Sequence, residues 1–374
     1  EPVSSISGNK TILYNMKDWQ IFQTLKEKAS AEEIIKLLLK NRSLKTKKQI
    51  DEFLSPSKPQ TLTPSALGIA KKDLVKAIRR IKKAIDSGEQ IIVYGDYDAD
   101  GVCGTAILWE TLNKLGGQCL PYIPKRLEEG YGLLVKGIKK IKDQTPDTKL
   151  IITVDNGITA NEGVDYAQKN KIDVIITDHH IPSKRRPKAL AIVHTTKLSG
   201  SGVAWVLARH LGDETGLELA TIGTIADMVP LLGANRSLVK FGLKRLNRIN
   251  RLGLLALFKE TGLEKGKIET WGVSFIISPR LNASGRLGDA MDALRLVCTK
   301  DHSRNERLAK KLSEGNRKRQ KLTEKDCLHA KSVITAPYPK LLFVASDSYH
   351  EGIIGLVAGN LVKEFYRPAV MISI

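Results

Sequence analysis

Three aspartates stand at alternate positions, Asp96, Asp98 and Asp100, in the run Ile91-Ile-Val-Tyr-Gly-Asp-Tyr-Asp-Ala-Asp-Gly-Val-Cys-Gly-Thr-Ala106. The apolar residues Ile91 to Tyr94 read as a buried strand, stopped by Gly95. Side chains alternate along a strand, so alternate carboxylates leaving its end can point the same way. Carboxylates so close repel one another and resist ionisation unless a cation sits among them. Hard divalent cations, magnesium or manganese, suit such oxygen donors. A solvated acidic turn is the plain alternative. A calcium loop is not, because the glutamate it needs at its twelfth position is here Ile107.

Two further apolar segments end in the same way. Leu150 to Val154 runs into Asp155-Asn-Gly, and Asp173 to Thr177 runs into Asp178-His-His. In open α/β sheets ligands bind beyond the carboxyl ends of the strands. Asp98 and Asp100, Asp155, and Asp178 with His179 and His180 can therefore meet in one crevice. Asp227 lies in the otherwise apolar Thr221 to Pro230 segment. Alone it reads as a helix cap or a buried hydrogen-bonding group. With the others it completes a donor set for two cations that activate water and hold phosphoryl oxygens.

The elements that must position these residues follow from the pattern around them. Residues 1–70 read as an N-terminal helical accessory region, broken by Ser55-Pro-Ser-Lys-Pro. From Lys71 an amphipathic helix carries Leu74, Ala77, Ile78, Ile81 and Ile85 on one face. Strands and helices then alternate, with a helix expected from about Val102 to Lys114 and a short strand at Gln118 to Pro124. That alternation means an α/β fold with a parallel sheet and crossover helices. The loop Lys125-Arg-Leu-Glu-Glu-Gly-Tyr-Gly follows, mixing charge, an aromatic ring and glycines.

At 374 residues the chain has room for two or three domains. Lys and Arg outnumber Asp and Glu by 60 to 40, a net charge of +20. Such an excess fits a polyanion bound through its phosphates, most simply nucleic acid, although charge alone can also serve solubility. Cys103, Cys119, Cys298 and Cys327 form no CxxC pair, which speaks against a zinc module or a disulfide framework and fits a reducing cytoplasm. No apolar run is long enough to span a bilayer.

Asp96-Tyr-Asp-Ala-Asp-Gly, Val154-Asp-Asn-Gly, Asp178-His-His and the Asp227 segment resemble, in order, the four motifs of the DHH phosphoesterase superfamily. The first motif looks like the RecJ branch, single-strand-specific DNA exonucleases. Ile123 to Gly132, Pro279-Arg-Leu-Asn-Ala-Ser-Gly-Arg-Leu and Tyr349-His-Glu-Gly-Ile-Ile-Gly also have close counterparts there. The resemblance runs from about Lys71 to the end of the chain. It implies a DHH catalytic domain over 71–300, a connecting helix over 301–335 and a smaller α/β DHH-associated substrate-binding domain over 336–374.

It also implies roles. Asp98, Asp100, Asp155, His179 and Asp227 would hold two manganese or magnesium ions, with Asp155 bridging. His180 would contact the scissile phosphate, Asp178 would orient the histidine pair, and Asp96 would act as ligand or support. Arg280, Asn282 and Arg286, expected in a turn among small residues, would grip the substrate backbone, with Arg126, Tyr131 and His350 also facing it. Tyr349 or His350 would stack on a base, or Tyr349 would simply pack its loop. The implied activity is hydrolysis of single-stranded DNA from its 5′ end to mononucleotides, in repair and recombination. Its implied partners are single-strand-binding protein and a helicase, and a monomer is the expected assembly.

Two departures stand out against that pattern. RecJ-like chains continue beyond the position of Ile374, so the last domain is expected to be cut short, as the start at Glu1 is expected to be trimmed. The join His194-Thr-Thr-Lys-Leu-Ser-Gly is shorter than the family's loop, as if residues were missing from it. Two other readings compete. A sister enzyme acting on short oligonucleotides or cyclic dinucleotides would not need the charge excess. A DNA-binding scaffold on a decayed core would not need intact carboxylates and histidines.

Overall fold

The computed structural model describes residues 28–374, so the accessory region is met only from residue 28 onward and the first 27 residues lie outside it. The chain divides into one unit ending at Ser55 and a second from Pro56 to Ile374. The first unit contains helices α1 (Ala31–Asn41) and α2 (Lys47–Leu54). Each begins with a capping box. Ser30 and Thr46 accept the amides of Glu33 and Gln49, whose side chains accept the cap amides in return.

The second unit starts at Pro56, inside the proline-rich break and earlier than the boundary expected at the Lys71 helix. Helix α3 (Pro64–Leu67) and the residues around it pack into the main core, where Leu67 and Ile69 are buried. The carbonyls of Pro59, Gln60 and Leu62 accept hydrogen bonds from Arg209, and that of Leu67 accepts one from the Thr195 hydroxyl. Prolines stopped the helix without releasing the chain from the core. Helix α4 (Lys71–Asp86) then buries Leu74, Ala77 and Ile81 of the expected stripe together with Ala84, while Ile78 and Ile85 are partly buried against the same core.

Strand and helix alternate next: β1 (Gln90–Tyr94), α5 (Ala99–Lys114), β2 (Cys119–Tyr122), α6 (Arg126–Glu129), α7 (Val135–Gln144), β3 (Thr148–Val154), α8 (Asn161–Lys169), β4 (Asp173–Asp178) and β5 (Ala191–His194). All five strands pair in parallel in the order β2-β1-β3-β4-β5. Strand alternation divides their side chains between two cores. Ile91, Val93, Leu150, Ile152 and Ile175 enter the larger one, whereas Ile92, Tyr94, Ile151, Val174 and Ile176 enter the smaller. A sheet covered on both faces favours apolar residues at nearly every position, and the buried Thr153 and Thr177 satisfy their hydroxyls by donating to backbone carbonyls. β5 (Ala191–His194) was not among the strands expected from the sequence.

The helices of the larger core follow: α9 (Gly200–Leu211), α10 (Leu217–Ala226), α11 (Gly233–Leu246), α12 (Leu252–Thr261) and α13 (Thr270–Gly272). A π-helical turn over Val273–Ile277 leads into α14 (Ser278–Leu287) and α15 (Met291–Cys298). The Pro279 to Gly288 segment is therefore a helix, not the expected turn. Pro279 sits in its first turn, where the missing amide costs nothing.

Helix α16 (His302–Val333) is the expected connector. Beyond it β6 (Leu342–Ser346), α17 (Ile354–Phe365) and β7 (Ala369–Ser373) build a two-stranded parallel sheet with its own core. Tyr349 belongs to that core. It is 3% exposed and its hydroxyl meets His329 Nδ1 at 2.7 Å, so it packs the loop and is closed to base stacking. Among the described residues no helix is long and apolar enough to cross a membrane.

Candidate metal centre

The site forms where β1, β3 and β4 end. β1 stops at Tyr94 and the chain turns at Gly95, where a Cβ would lie 1.9 Å from Thr105 Oγ1. Asp96 is buried in this turn, with no donor for its Oδ1. Asp98 is the N-cap of α5, and its Oδ1 accepts the amides of Asp100 and Gly101 at 2.9 Å each. Asp100 lies in the first helical turn. The three carboxylates thus occupy a turn, a cap and a helix start rather than alternate strand positions. The reason is local: an aspartate ahead of a helix-forming run caps it, and α5 begins at Ala99 instead of Val102.

Asp155, directly after β3, takes the left-handed conformation (φ 62°), uncommon for any residue but glycine. Such a conformation persists where the surroundings over-determine it, and it aims the carboxylate into the crevice. Asp155 Oδ1 has no hydrogen-bond donor, although His179 Nε2 stands 3.1 Å away. Asp178 ends β4. It accepts the amides of Ile158, His179 and His180, and its Oδ1 lies 2.8 Å from His180 Nδ1. Asp227 caps the C-terminus of α10, and its Oδ2 is 3.6 Å from His179 Nε2.

Donor atoms gather in three overlapping sets, each within 4.8 Å: Asp96, Asp98 and Asp155; Asp155, His179 and His180; and Asp100, His179 and Asp227. Asp155 and His179 each belong to two sets.

The electrostatics are those of crowded anions. Burial, and then the neighbouring carboxylates, push Asp96, Asp98 and Asp155 above the usual range. The same causes lift Asp227 to about 7. Burial lowers His179, the direction that favours the uncharged imidazole a cation needs as ligand. Asp178 is the exception. Burial would raise it, but the His180 ring and three amides hold it below its ordinary value, while its hydrogen bond raises His180. Orphaned buried oxygens, repelling carboxylates and a neutral imidazole fit divalent cations of the hard, oxygen-seeking kind.

The outer residues divide. Tyr131 Oη lies 3.3 Å from His180 Nε2, and its ring meets the edges of Tyr97 and His180. Arg126 stacks 5.1 Å over the Tyr97 ring. Arg286 is half-buried beside Arg126 and Arg319, with Asp98 near, and donates to the Gly352 carbonyl. Arg280 is held elsewhere, donating to the Ser313 hydroxyl and the Ile276 carbonyl against α16. Asn282 serves the protein's own backbone by accepting the Ala99 amide at 2.7 Å. His350 Nδ1 accepts the Gly352 amide.

Sequence reasoning missed the supports from α9. The amides of Gly200 and Ser201 donate to Asp100 at 2.6 and 3.0 Å, so the positive end of a helix faces this carboxylate. The signal was the Ser199-Gly-Ser-Gly run after β5, an N-cap signature inside the join thought too short. Tyr97, which carries Arg126, was also passed over.

Comparison with known proteins matches these features. The profile of the DHH family, N-terminal domain, matches residues 90–230. The chain is 38% identical to the single-stranded-DNA-specific exonuclease RecJ of Bacillus subtilis over 94% of its own length and 46% of the relative's. It therefore spans about half the length of that curated relative. A crystal structure of exonuclease RecJ bound to manganese superposes with a TM-score of 0.73 at 36% identity, covering 80% of each chain. The RecJ of Thermus thermophilus in complex with magnesium gives a TM-score of 0.69 at 30% identity, over 91% of this chain and 48% of that one.

Proposed function

The chain belongs to the DHH family, in its RecJ branch, and from that premise we propose that it is a metal-dependent exonuclease. It hydrolyses single-stranded DNA from the 5′ end to mononucleotides, in repair and recombination. One observation carries this: five carboxylates and two imidazoles converge where three strands end, with buried oxygens of Asp96 and Asp155 left without donors.

Asp98, Asp100, Asp155, His179 and Asp227 would hold two manganese or magnesium ions, Asp155 shared between them. When bound, these ions activate a water and neutralise charge developing on the phosphoryl oxygens. The residues do the rest. Asp178 fixes His180 Nδ1, so the ring presents Nε2–H to the scissile phosphate as a charge-assisted donor. A water oxygen bonds to phosphorus, the bond to the 3′ oxygen of the terminal sugar breaks, and that oxygen leaves protonated. Arg126 and Arg286 are the phosphate-binding cations of the crevice. Tyr97 and Tyr131 offer rings to the terminal base, a sequence-tolerant contact suited to an unspecific nuclease. His350 takes substrate across the cleft, and Arg280 and Asn282 act through the groups they hold. We place the enzyme in the cytoplasm as a monomer, fed by a helicase and single-strand-binding protein.

The test is digestion of single strands labelled at either end, with manganese, magnesium or chelator. Immediate release of 5′-labelled mononucleotide, lost with chelator and in Asp155→Ala, is expected. Release from the 3′ end, or cleavage confined to fragments of a few nucleotides, would move the chain to another activity of the superfamily. Salt-sensitive binding without hydrolysis would make it a scaffold.

A further inference from the structure

A cavity of about 1010 Å³ lies at the opposite end of α5 from the carboxylates. Its floor is a mostly buried cluster in which Arg251 forks onto Glu110 at 2.6 and 3.0 Å and reaches Glu218 at 3.1 Å. Those two acids are thereby spent on Arg251. Lys114 at the edge is likewise paired, with Asp213. Arg245, also in the lining, reaches Glu218 at 3.8 Å, whereas Lys244, Arg248 and Lys300 are exposed and form no ion pair among the described residues. Lys244, Arg245, Arg248 and Arg251, close together in the sequence, are thus gathered around one hollow.

The walls have a different character. Trp109 and Phe241 present rings, with Lys244 Nζ 5.7 Å from the Phe241 centroid. Asn113 and Asn250 bring amides: Asn113 Nδ2 donates to the Trp109 carbonyl and Asn250 Oδ1 accepts from Lys265, so Asn113 offers its Oδ1 as acceptor and Asn250 its Nδ2 as donor. Aromatic faces take a planar base, amides read its edge, and a rim of unpaired cations takes phosphates. The volume suits a compact ligand, and the closed floor does not suit a strand passing through.

We propose that this cavity binds a free nucleotide carrying two or three phosphates, base inward and phosphates at the rim, separate from the metal centre. From Asp100 to Trp109 and Lys114 the helix rises about 14–21 Å, which sets the cavity and the metal centre at opposite ends of α5. Helix α10 spans the same interval, with Glu218 at the cavity and Asp227 at the metal centre. The proposal stands independently of the nuclease reading, since it uses none of that machinery.

The probe is N-methylanthraniloyl-ATP, titrated into the whole chain in chelator and followed by loss of tryptophan emission. Saturable binding below about 1 mM is expected, with the signal weakened in Trp109→Phe. The double variant Arg248→Glu/Lys300→Glu should bind at least about tenfold more weakly while melting as the parent does and keeping its DNA hydrolysis. Asp155→Ala should bind the probe unchanged. Absence of saturation, equal affinity in the charge-reversed variant, or loss of binding in Asp155→Ala would overturn the proposal. So would displacement of the probe by an oligothymidylate from the parent chain, which would assign the cavity to the strand itself.

Discussion

Asn282 Oδ1 accepts the amide of Ala99 at 2.7 Å and so ties α14 to the turn that carries Asp98. The bond spans 183 positions of sequence and joins the helix-rich half of the catalytic unit to the first motif. A residue expected to grip substrate thus holds the backbone on which the carboxylates stand.

Replacing it tests that role. Asn282→Ala should lower turnover and manganese affinity by about 10–100-fold, the usual cost of removing a support behind a metal ligand. Thermal melting without metal should fall by only a few degrees, because the buried Ala99 amide left without its acceptor costs about 1–3 kcal/mol. Manganese titration by calorimetry checks it, and unaltered affinity and turnover would refute the positioning role.

Gly200 opens α9 against Asp155, where an added Cβ would fall 2.4 Å from Oδ1. Gly200→Ala should therefore displace the Asp155 carboxylate, even though alanine favours a helix by up to about 1 kcal/mol. The expected result is that manganese raises the melting temperature of the parent and little or not at all that of the variant. Equal metal-induced shifts would show that the crevice accommodates the methyl group.

Arg280 makes its two hydrogen bonds within the protein, to Ser313 Oγ at 3.2 Å and Ile276 O at 2.7 Å. Arg280→Ala should cost stability, about 1–3 kcal/mol, because the part-buried carbonyl and hydroxyl lose their donor. Urea unfolding measures this. A variant as stable as the parent but weak in DNA binding would return Arg280 to the substrate side.

Asp213 supplies a pH dependence away from the metal centre. Burial opposes its ionisation, but the Thr215 hydroxyl, the Thr215 amide and Lys114 together lower it from 3.8 to about 2. A carboxyl depressed in the folded state contributes stability above its unfolded value and loses it as pH falls through the folded one. Asp213→Asn should thus be less stable than the parent by about 1 kcal/mol at neutral pH, once solvent screening around Lys114 is allowed for. The gap should close between about pH 4 and pH 2. A gap independent of pH in unfolding titrations would remove the carboxylate as its cause.

Much of this was legible in the chain. Apolar runs that stop just before Asp96, Asp155 and Asp178 announce strands whose ends carry the residues of the metal centre, because a sheet buried on both faces admits no unpaired charge until it stops. The long connecting helix and the final α/β unit are implied by the resemblance, and both are present as α16 and as β6, α17 and β7. Less was legible where one local pattern serves two structures. Arg280, Asn282 and Arg286 lie among small residues that read as a turn, yet the segment is a helix because Pro279 falls in its first turn.

The sequence by itself determined the chemistry: the number and type of donors, the strand ends that carry them, and the charge for a polyanion. Only the tertiary structure decided what holds those donors and what the remaining basic residues surround. The α9 amides on Asp100, the Asn282 bond to Ala99 and the cavity beneath Trp109 and Arg248 all join residues distant along the chain. Periodicity reports which face of an element is buried. It carries nothing about which element arrives to cover that face, and that is settled only when helices and sheet pack.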